Sequence, residues 1–151
     1  MRRQLRNGLL ALLCVLIVQF LLGMAVNLFV TVPRDHPGAN APEYFSGVVQ
    51  SVTWAILHRH VLLILHAILG LVLVVMGASV MFQAIRSGTR SLVITSVIGA
   101  IAILAAGFNG GSYLNYHEDF SSMIMASFFA IAVVAYGVGL DVAAEPERAS
   151  A

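Results

Sequence analysis

The chain has 151 residues, of which 60% are hydrophobic and 10% are charged, and its formal net charge at pH 7 is +1. A water-soluble domain is typically about 45–50% apolar and about 25% charged, so this composition favours one compact bundle in a lipid bilayer. The near-neutral charge excludes the strongly basic surface that nucleic-acid binding requires. Because Cys14 is the only cysteine, an intramolecular disulfide and a CxxC redox or zinc motif are excluded.

The first predicted element is a membrane span over residues 9–32, which follows the basic sequence MRRQLR. At about 1.5 Å per residue it reaches about 36 Å, enough to cross a bilayer with some tilt. A cleaved signal peptide is the alternative, but the apolar run exceeds the usual length of about 7–15 residues and no A-x-A site ends it. We therefore expect a retained helix. Small or polar residues at every fourth position share a face that we predict to be inward: Gln19, Gly23, Asn27 and Thr31.

An extracytoplasmic loop rich in proline and glycine is predicted over residues 33–53, followed by a second span over 54–83. This span contains the sequence HRHVLLILHAILG, with three histidines. His66 falls inside the predicted hydrocarbon region, where an ionisable side chain is costly and is therefore a functional-site hypothesis by default.

Two further spans are predicted over residues 91–108 and 120–140, followed by a disordered tail over 142–151. The expected fold class is all-α: an integral membrane four-helix bundle with up-down-up-down topology, in a single transmembrane domain over residues 1–151. Because loop arginines accumulate on the cytoplasmic side, we expect both termini to be cytoplasmic and the protein to lie in the plasma (inner) membrane. Only two arginines fall on the outer side, and six on the inner side: Arg2, Arg3, Arg6, Arg86, Arg90 and Arg148.

This orientation places all five histidines toward the extracytoplasmic ends: His36, His58, His60, His66 and His117. Neutral imidazole is a common ligand of haem iron, zinc and copper. For haem b we predict His66 as one axial ligand and His117 or His60 as the second. Arg59 would pair with a propionate, and Asn27 would line the pocket. Other axial ligands available in the same half are His58, Met24, Met123 and Met125.

The second version of the site is a metal centre for zinc or copper. Its predicted ligands are His58, His117, Glu118 and Asp119. The structural alternative to both versions is that His66 hydrogen-bonds Asn27 or a backbone carbonyl across helices. In that alternative His36, His58 and His60 are solvated interface residues, and His117 with its acidic neighbours belongs to a polar loop and helix cap.

Three classes of function follow from these patterns. The first is a haem- or metal-binding protein for electron transfer, and the second is an accessory or structural subunit that contacts lipid and either other membrane subunits or a second copy. A small transporter ranks last, because no Asp, Glu, Lys or Arg lies deep in a predicted span.

In architecture the chain resembles b-type cytochromes or one half of a haem A synthase. The sequence that carries the resemblance is HRHVLLILHAILG, in which a histidine near a membrane-helix end is followed by a glycine. No site residue is transferred from those families. No G-x-S-x-G, HExxH or P-loop motif appears.

Overall fold

The computed structural model describes the backbone of residues 2–58 and 60–148, and their side chains except for Arg2, His58 and residues 145–148. This part of the chain forms five α-helices: α1 (Arg2–Phe29), α2 (Tyr44–His58), α3 (Val61–Ser87), α4 (Arg90–Tyr116) and α5 (Asp119–Arg148). All except α2 are long and apolar enough to cross a membrane. The prediction of an all-helical fold with four membrane-length helices is therefore confirmed.

The predicted second span over residues 54–83 is wrong at its start, because the chain breaks between two helices there. Residues 44–58 form the separate helix α2, in a region predicted mostly as loop, and α3 begins only at Val61. His60 lies directly before α3: its backbone is extended, and its Nδ1 accepts a hydrogen bond of 3.3 Å from the Leu62 N–H. This is the N-cap geometry that starts a new helix.

The predicted third span, over residues 91–108, ends too early, since α4 continues to Tyr116. Polar side chains in this last part donate back to carbonyl groups one turn earlier, as Asn109 and Ser112 do, and so remain compatible with the helix. His117 then stops α4 in a left-handed conformation with φ 56°. A left-handed residue after the last helical turn is a common helix terminator.

The first and last long helices also end at residues that differ from the predicted boundaries. Helix α1 ends at Phe29, ahead of the sequence Val30-Thr31-Val32-Pro33, in which Val32, as the residue before a proline, is disfavoured in the helical region. Helix α5 reaches Arg148, beyond the predicted span over residues 120–140 and into the predicted disordered tail over 142–151. Alanine, which occupies positions 143 and 144, has the highest helix propensity.

The four long helices close into a bundle in which α1 and α4 each contact both α3 and α5. Leucines of α1 at spacings of four and three residues form one fully buried row: Leu5, Leu9, Leu12 and Leu16. The ring of Tyr136, also fully buried, packs into the gap left by Gly99 of α4. A Cβ at Gly99 would lie 2.5 Å from this ring, so α4 and α5 approach closely only because the residue is a glycine.

Candidate functional site

One end of the bundle is covered by residues 30–43 and α2, which we call the cap. Helix α2 contacts α3 and α4, and the preceding segment is tied to the last turn of α4 through Asn115, which is fully buried. The Asn40 N–H donates to the Asn115 carbonyl oxygen over 2.8 Å, and the Ala41 N–H donates to Asn115 Oδ1 over 3.1 Å. The segment predicted as a loop therefore folds back over the bundle.

Glycines allow the cap to approach the bundle closely. A Cβ at Gly111 of α4 would lie 2.6 Å from Val48 Cγ1 of α2, and a Cβ at Gly47 would lie 2.5 Å from Asn115 Nδ2. Both distances are shorter than van der Waals contact, so these positions accept only glycine without rearrangement. Shape complementarity at the glycines and hydrogen bonds at Asn115 thus hold the same interface.

His36 connects the cap to α4 and is buried, with 9% of its surface exposed. Its Nδ1 lies 3.0 Å from the Pro37 carbonyl oxygen, and its Nε2 lies 3.0 Å from the Leu114 carbonyl oxygen. A ring nitrogen bonds a carbonyl oxygen only as an N–H donor. The ring also stacks on Trp54 with a centroid distance of 4.0 Å. The expectation that His36 is a solvated interface residue is therefore wrong, since both ring nitrogens face backbone carbonyls inside the protein.

Two other histidines contact backbone groups at this end of the bundle. His117 Nε2 lies 2.9 Å from the Pro33 carbonyl oxygen, which requires a proton on Nε2 and fastens the start of the cap to the end of α4. His60 is exposed and serves as the N-cap of α3. Both were predicted haem or metal ligands, and in the structure each holds a chain turn in place.

His66 lies between α3 and α1, where its ring meets Gln19 and Gly23. Gln19 Nε2 donates to the His66 carbonyl oxygen over 3.1 Å and lies 3.4 Å from His66 Nε2. Gln19 Nε2 can donate to His66 Nε2 only when that ring nitrogen carries no proton. A Cβ at Gly23 would lie 3.0 Å from His66 Cε1, so the ring fills the space above this glycine.

The predicted inward face of α1 is only half right. Gln19 and Gly23 meet His66, but Asn27 is exposed, and Thr31 lies beyond the end of the helix. Gln19 takes the role predicted for Asn27 in the structural alternative, because it lies about two turns further from the helix end and opposite His66. The described hydrogen bonds of His66 do not include Asn27.

The remaining predicted metal ligands are not gathered around an ion site. Glu118 and Asp119 are exposed at the start of α5. Among the side chains that the structure describes, no group of three or more His, Cys, Asp or Glu residues is placed to hold a metal ion. The side chain of His58 and the whole of Arg59 lie outside the described residues, so their predicted roles stay predictions.

Two cavities bear on the haem prediction. One, of about 180 Å³, opens between the cap and the end of α4 and is lined by Arg34, Asn40, Tyr116 and His117. The other, of about 430 Å³, is an apolar groove between residues 95–98 of α4 and 130–138 of α5. His66 lines neither, so neither brings the two predicted axial ligands together.

The comparisons with known proteins add no family. No protein-family model matches the chain, and neither the search of curated proteins nor that of solved structures found a match. A function can therefore be argued only from the residues and contacts of this chain. At the capped end these contacts consist mainly of side chains that hold the backbone.

Proposed function

We propose that the protein is a non-catalytic accessory or structural subunit of a membrane complex, whose polar side chains hold its own chain in shape. The observation that supports this proposal is that the histidines with described side chains all hydrogen-bond within the protein: His36, His60, His66 and His117. A ligating histidine instead directs an unprotonated ring nitrogen at the metal. The rings of His36 and His117 direct ring nitrogens at backbone carbonyl oxygens, which they can bond only as N–H donors.

The same proposal includes up-down-up-down topology with the cap on the outer side of the plasma (inner) membrane and both termini in the cytoplasm. In support, Gly8 near the start of α1 lies against Val80 near the end of α3, while Gly23 lies against His66 near its start. In this arrangement the end opposite the cap carries more arginines than the cap, as the positive-inside rule requires. The described arginines at that end are Arg3, Arg6, Arg86 and Arg90.

One observation favours a second candidate function, in which His66 binds haem or a metal for electron transfer. His66 Nδ1 and Gln19 Oε1 are both buried without a hydrogen-bond partner among the described residues. Leaving such a group unpaired costs about 1–3 kcal/mol, so a native protein that contains one calls for an explanation. A bound group that contacts this pair is one explanation, and close helix packing at Gly23 is the other.

The absorption spectrum and metal content of the full-length protein, purified from its native membranes, separate the two candidates. We expect a colourless protein without a Soret band and without stoichiometric zinc, copper or iron. The His66→Ala variant then differs from the parent only in stability, and Asn27→Ala serves as the control because Asn27 is exposed. A Soret band or a stoichiometric metal that disappears in His66→Ala and persists in Asn27→Ala would overturn the accessory role and establish the second candidate.

A further inference from the structure

The cavity of about 180 Å³ at the capped end has the chemistry of an anion site. Its described lining consists of a guanidinium, a carboxamide, a phenol and an imidazole, from Arg34, Asn40, Tyr116 and His117. Each of these groups can donate hydrogen bonds, and none of the described lining residues carries a carboxylate. The His117 Nε2 proton is already directed at the Pro33 carbonyl oxygen, so an anion is the ligand class that the other three groups can serve together.

Three of the four side chains that line this cavity have no hydrogen-bond or ion-pair partner in the described part of the chain. In the described part of the chain, neither the Arg34 guanidinium nor the Tyr116 hydroxyl makes an ion pair or a hydrogen bond. The Asn40 carboxamide likewise has no described partner there, because its bond to Asn115 is made by the backbone N–H. Arginine presents a planar fork of N–H groups that matches phosphate and carboxylate oxygens.

Two of the lining residues are fixed by their backbones. Asn40 has φ 51° and His117 has φ 56°, both in the left-handed region. The Asn40 N–H bonds to Asn115, and the His117 ring bonds to Pro33. These bonds restrict the conformation of the cavity wall before a ligand arrives. The protein therefore loses less conformational entropy when the ligand binds.

We propose that this cavity binds a phosphate group, either of an anionic lipid headgroup or of a free phosphate ion. Tyr116 is the last residue of the apolar α4 segment that is long enough to span a membrane. The cavity at that position therefore lies where hydrocarbon gives way to headgroups, the level at which lipid phosphates occur.

Nearby carboxylates make close contact necessary for binding. The exposed residues Asp35, Glu118 and Asp119 adjoin lining residues in the sequence, although they do not line the cavity. Their charges oppose the approach of an anion from a distance, and exposed charges are screened by salt. The affinity must therefore come from the hydrogen bonds made inside the cavity, above all from Arg34, and it must respond to the loss of that one side chain.

The test uses the full-length protein in a phosphate-free detergent and follows its thermal unfolding midpoint during three titrations. The additions are phosphatidylglycerol, diacylglycerol with the same acyl chains, and inorganic phosphate. We expect phosphatidylglycerol or inorganic phosphate to raise the midpoint. Diacylglycerol, which has no phosphate, should not. A response to phosphatidylglycerol alone assigns the site to a lipid headgroup, and a response to inorganic phosphate assigns it to a free ion.

Matched variants show whether the ligand is bound in this cavity. Arg34→Gln should weaken binding about tenfold and Tyr116→Phe about threefold, as expected for the loss of one charged and one neutral hydrogen-bonding group. Arg86→Gln is the control, because Arg86 is also exposed but lies in the last turn of α3. The site is overturned if neither phosphate ligand shifts the midpoint, if diacylglycerol acts as strongly as phosphatidylglycerol, or if Arg34→Gln binds as tightly as Arg86→Gln.

Discussion

The two ends of α4 are packed by different means. Toward its start, the fully buried ring of Tyr136 packs against Gly99, so α4 and α5 are held there by close apolar packing. Toward its end, the side chains and carbonyls of Leu114, Asn115 and His117 bond to the cap. An apolar helix pair in lipid has no backbone groups left to satisfy, whereas an irregular segment such as residues 30–43 must find partners for its N–H and C=O groups. The polar residues of this protein are therefore concentrated where regular helix stops.

The largest effect is expected where the packing of Tyr136 is tightest. Gly99→Ala places a Cβ 2.5 Å from the fully buried ring of Tyr136, so the ring or the helix must shift. We expect a loss of about 1–3 kcal/mol in the free energy of unfolding, the usual penalty for overpacking a core. Denaturant-induced unfolding in detergent micelles measures it.

Gly107→Ala on the same helix is the control for this variant. Among the described residues, and leaving out the adjoining residues and backbone of α4 itself, no atom lies within 4 Å of a Cβ placed there. The substitution should therefore be neutral, or should stabilise α4 by up to about 1 kcal/mol through the higher helix propensity of alanine. Equal stability of the two variants would show that the α4–α5 contact is not closely packed.

A smaller effect, confined to the cap, is expected from Gly111→Ala. The new Cβ would lie 2.6 Å from Val48 Cγ1, and α2 must shift away from α4 at a cost of about 1–2 kcal/mol. Hydrogen exchange should increase over residues 44–58 and change little in α1. The adjacent variant Gly110→Ala is the control, since among the described residues outside its own turn its Cβ meets the flexible Met125 side chain alone, at 3.3 Å. Unchanged exchange in α2 would contradict the proposed fastening of the cap.

The hydrogen bonds of His36 should contribute about 1 kcal/mol to the free energy of unfolding. Two variants separate this contribution from that of stacking on Trp54. His36→Phe keeps an aromatic ring against Trp54 but leaves the Leu114 carbonyl without its donor. His36→Ala removes both contacts. We expect both variants to be less stable, and only His36→Ala to change the fluorescence of Trp54, the single tryptophan. A stability of His36→Phe equal to that of the parent would mean that the carbonyl contacts contribute nothing.

The smallest effect is expected inside the bilayer. Gln19→Leu removes the amide that bonds His66, and interhelical hydrogen bonds in a membrane contribute on average about 0.6 kcal/mol. Asn27→Leu, at an exposed position of the same helix, should leave the unfolding free energy unchanged. If Asn27→Leu is the more damaging variant in unfolding experiments, the assignment of Gln19 as the partner of His66 is wrong.

The sequence predicts the spanning helices well because long apolar runs have one stable form in lipid. It also places His66 in a span and Gln19 with Gly23 on the face that meets it. The helix α2 is missed as a separate element because its buried face depends on other parts of the fold: Val48 packs against Gly111, Gly47 against Asn115, and Ser51 against Gly38. The role of His36 is missed because its acceptor, Leu114, lies 78 residues away in the chain.

Cysteine accessibility in intact cells tests the central claim, that the capped end of the bundle faces outward, most directly. With Cys14 replaced by serine, a single cysteine is introduced either in the cap, as Ser46→Cys, or between α3 and α4, as Thr89→Cys. We predict that a membrane-impermeant maleimide labels Ser46→Cys in intact cells and labels Thr89→Cys only after permeabilisation. The reverse pattern would contradict the proposed orientation and would place the cap, its histidines and the phosphate site in the cytoplasm.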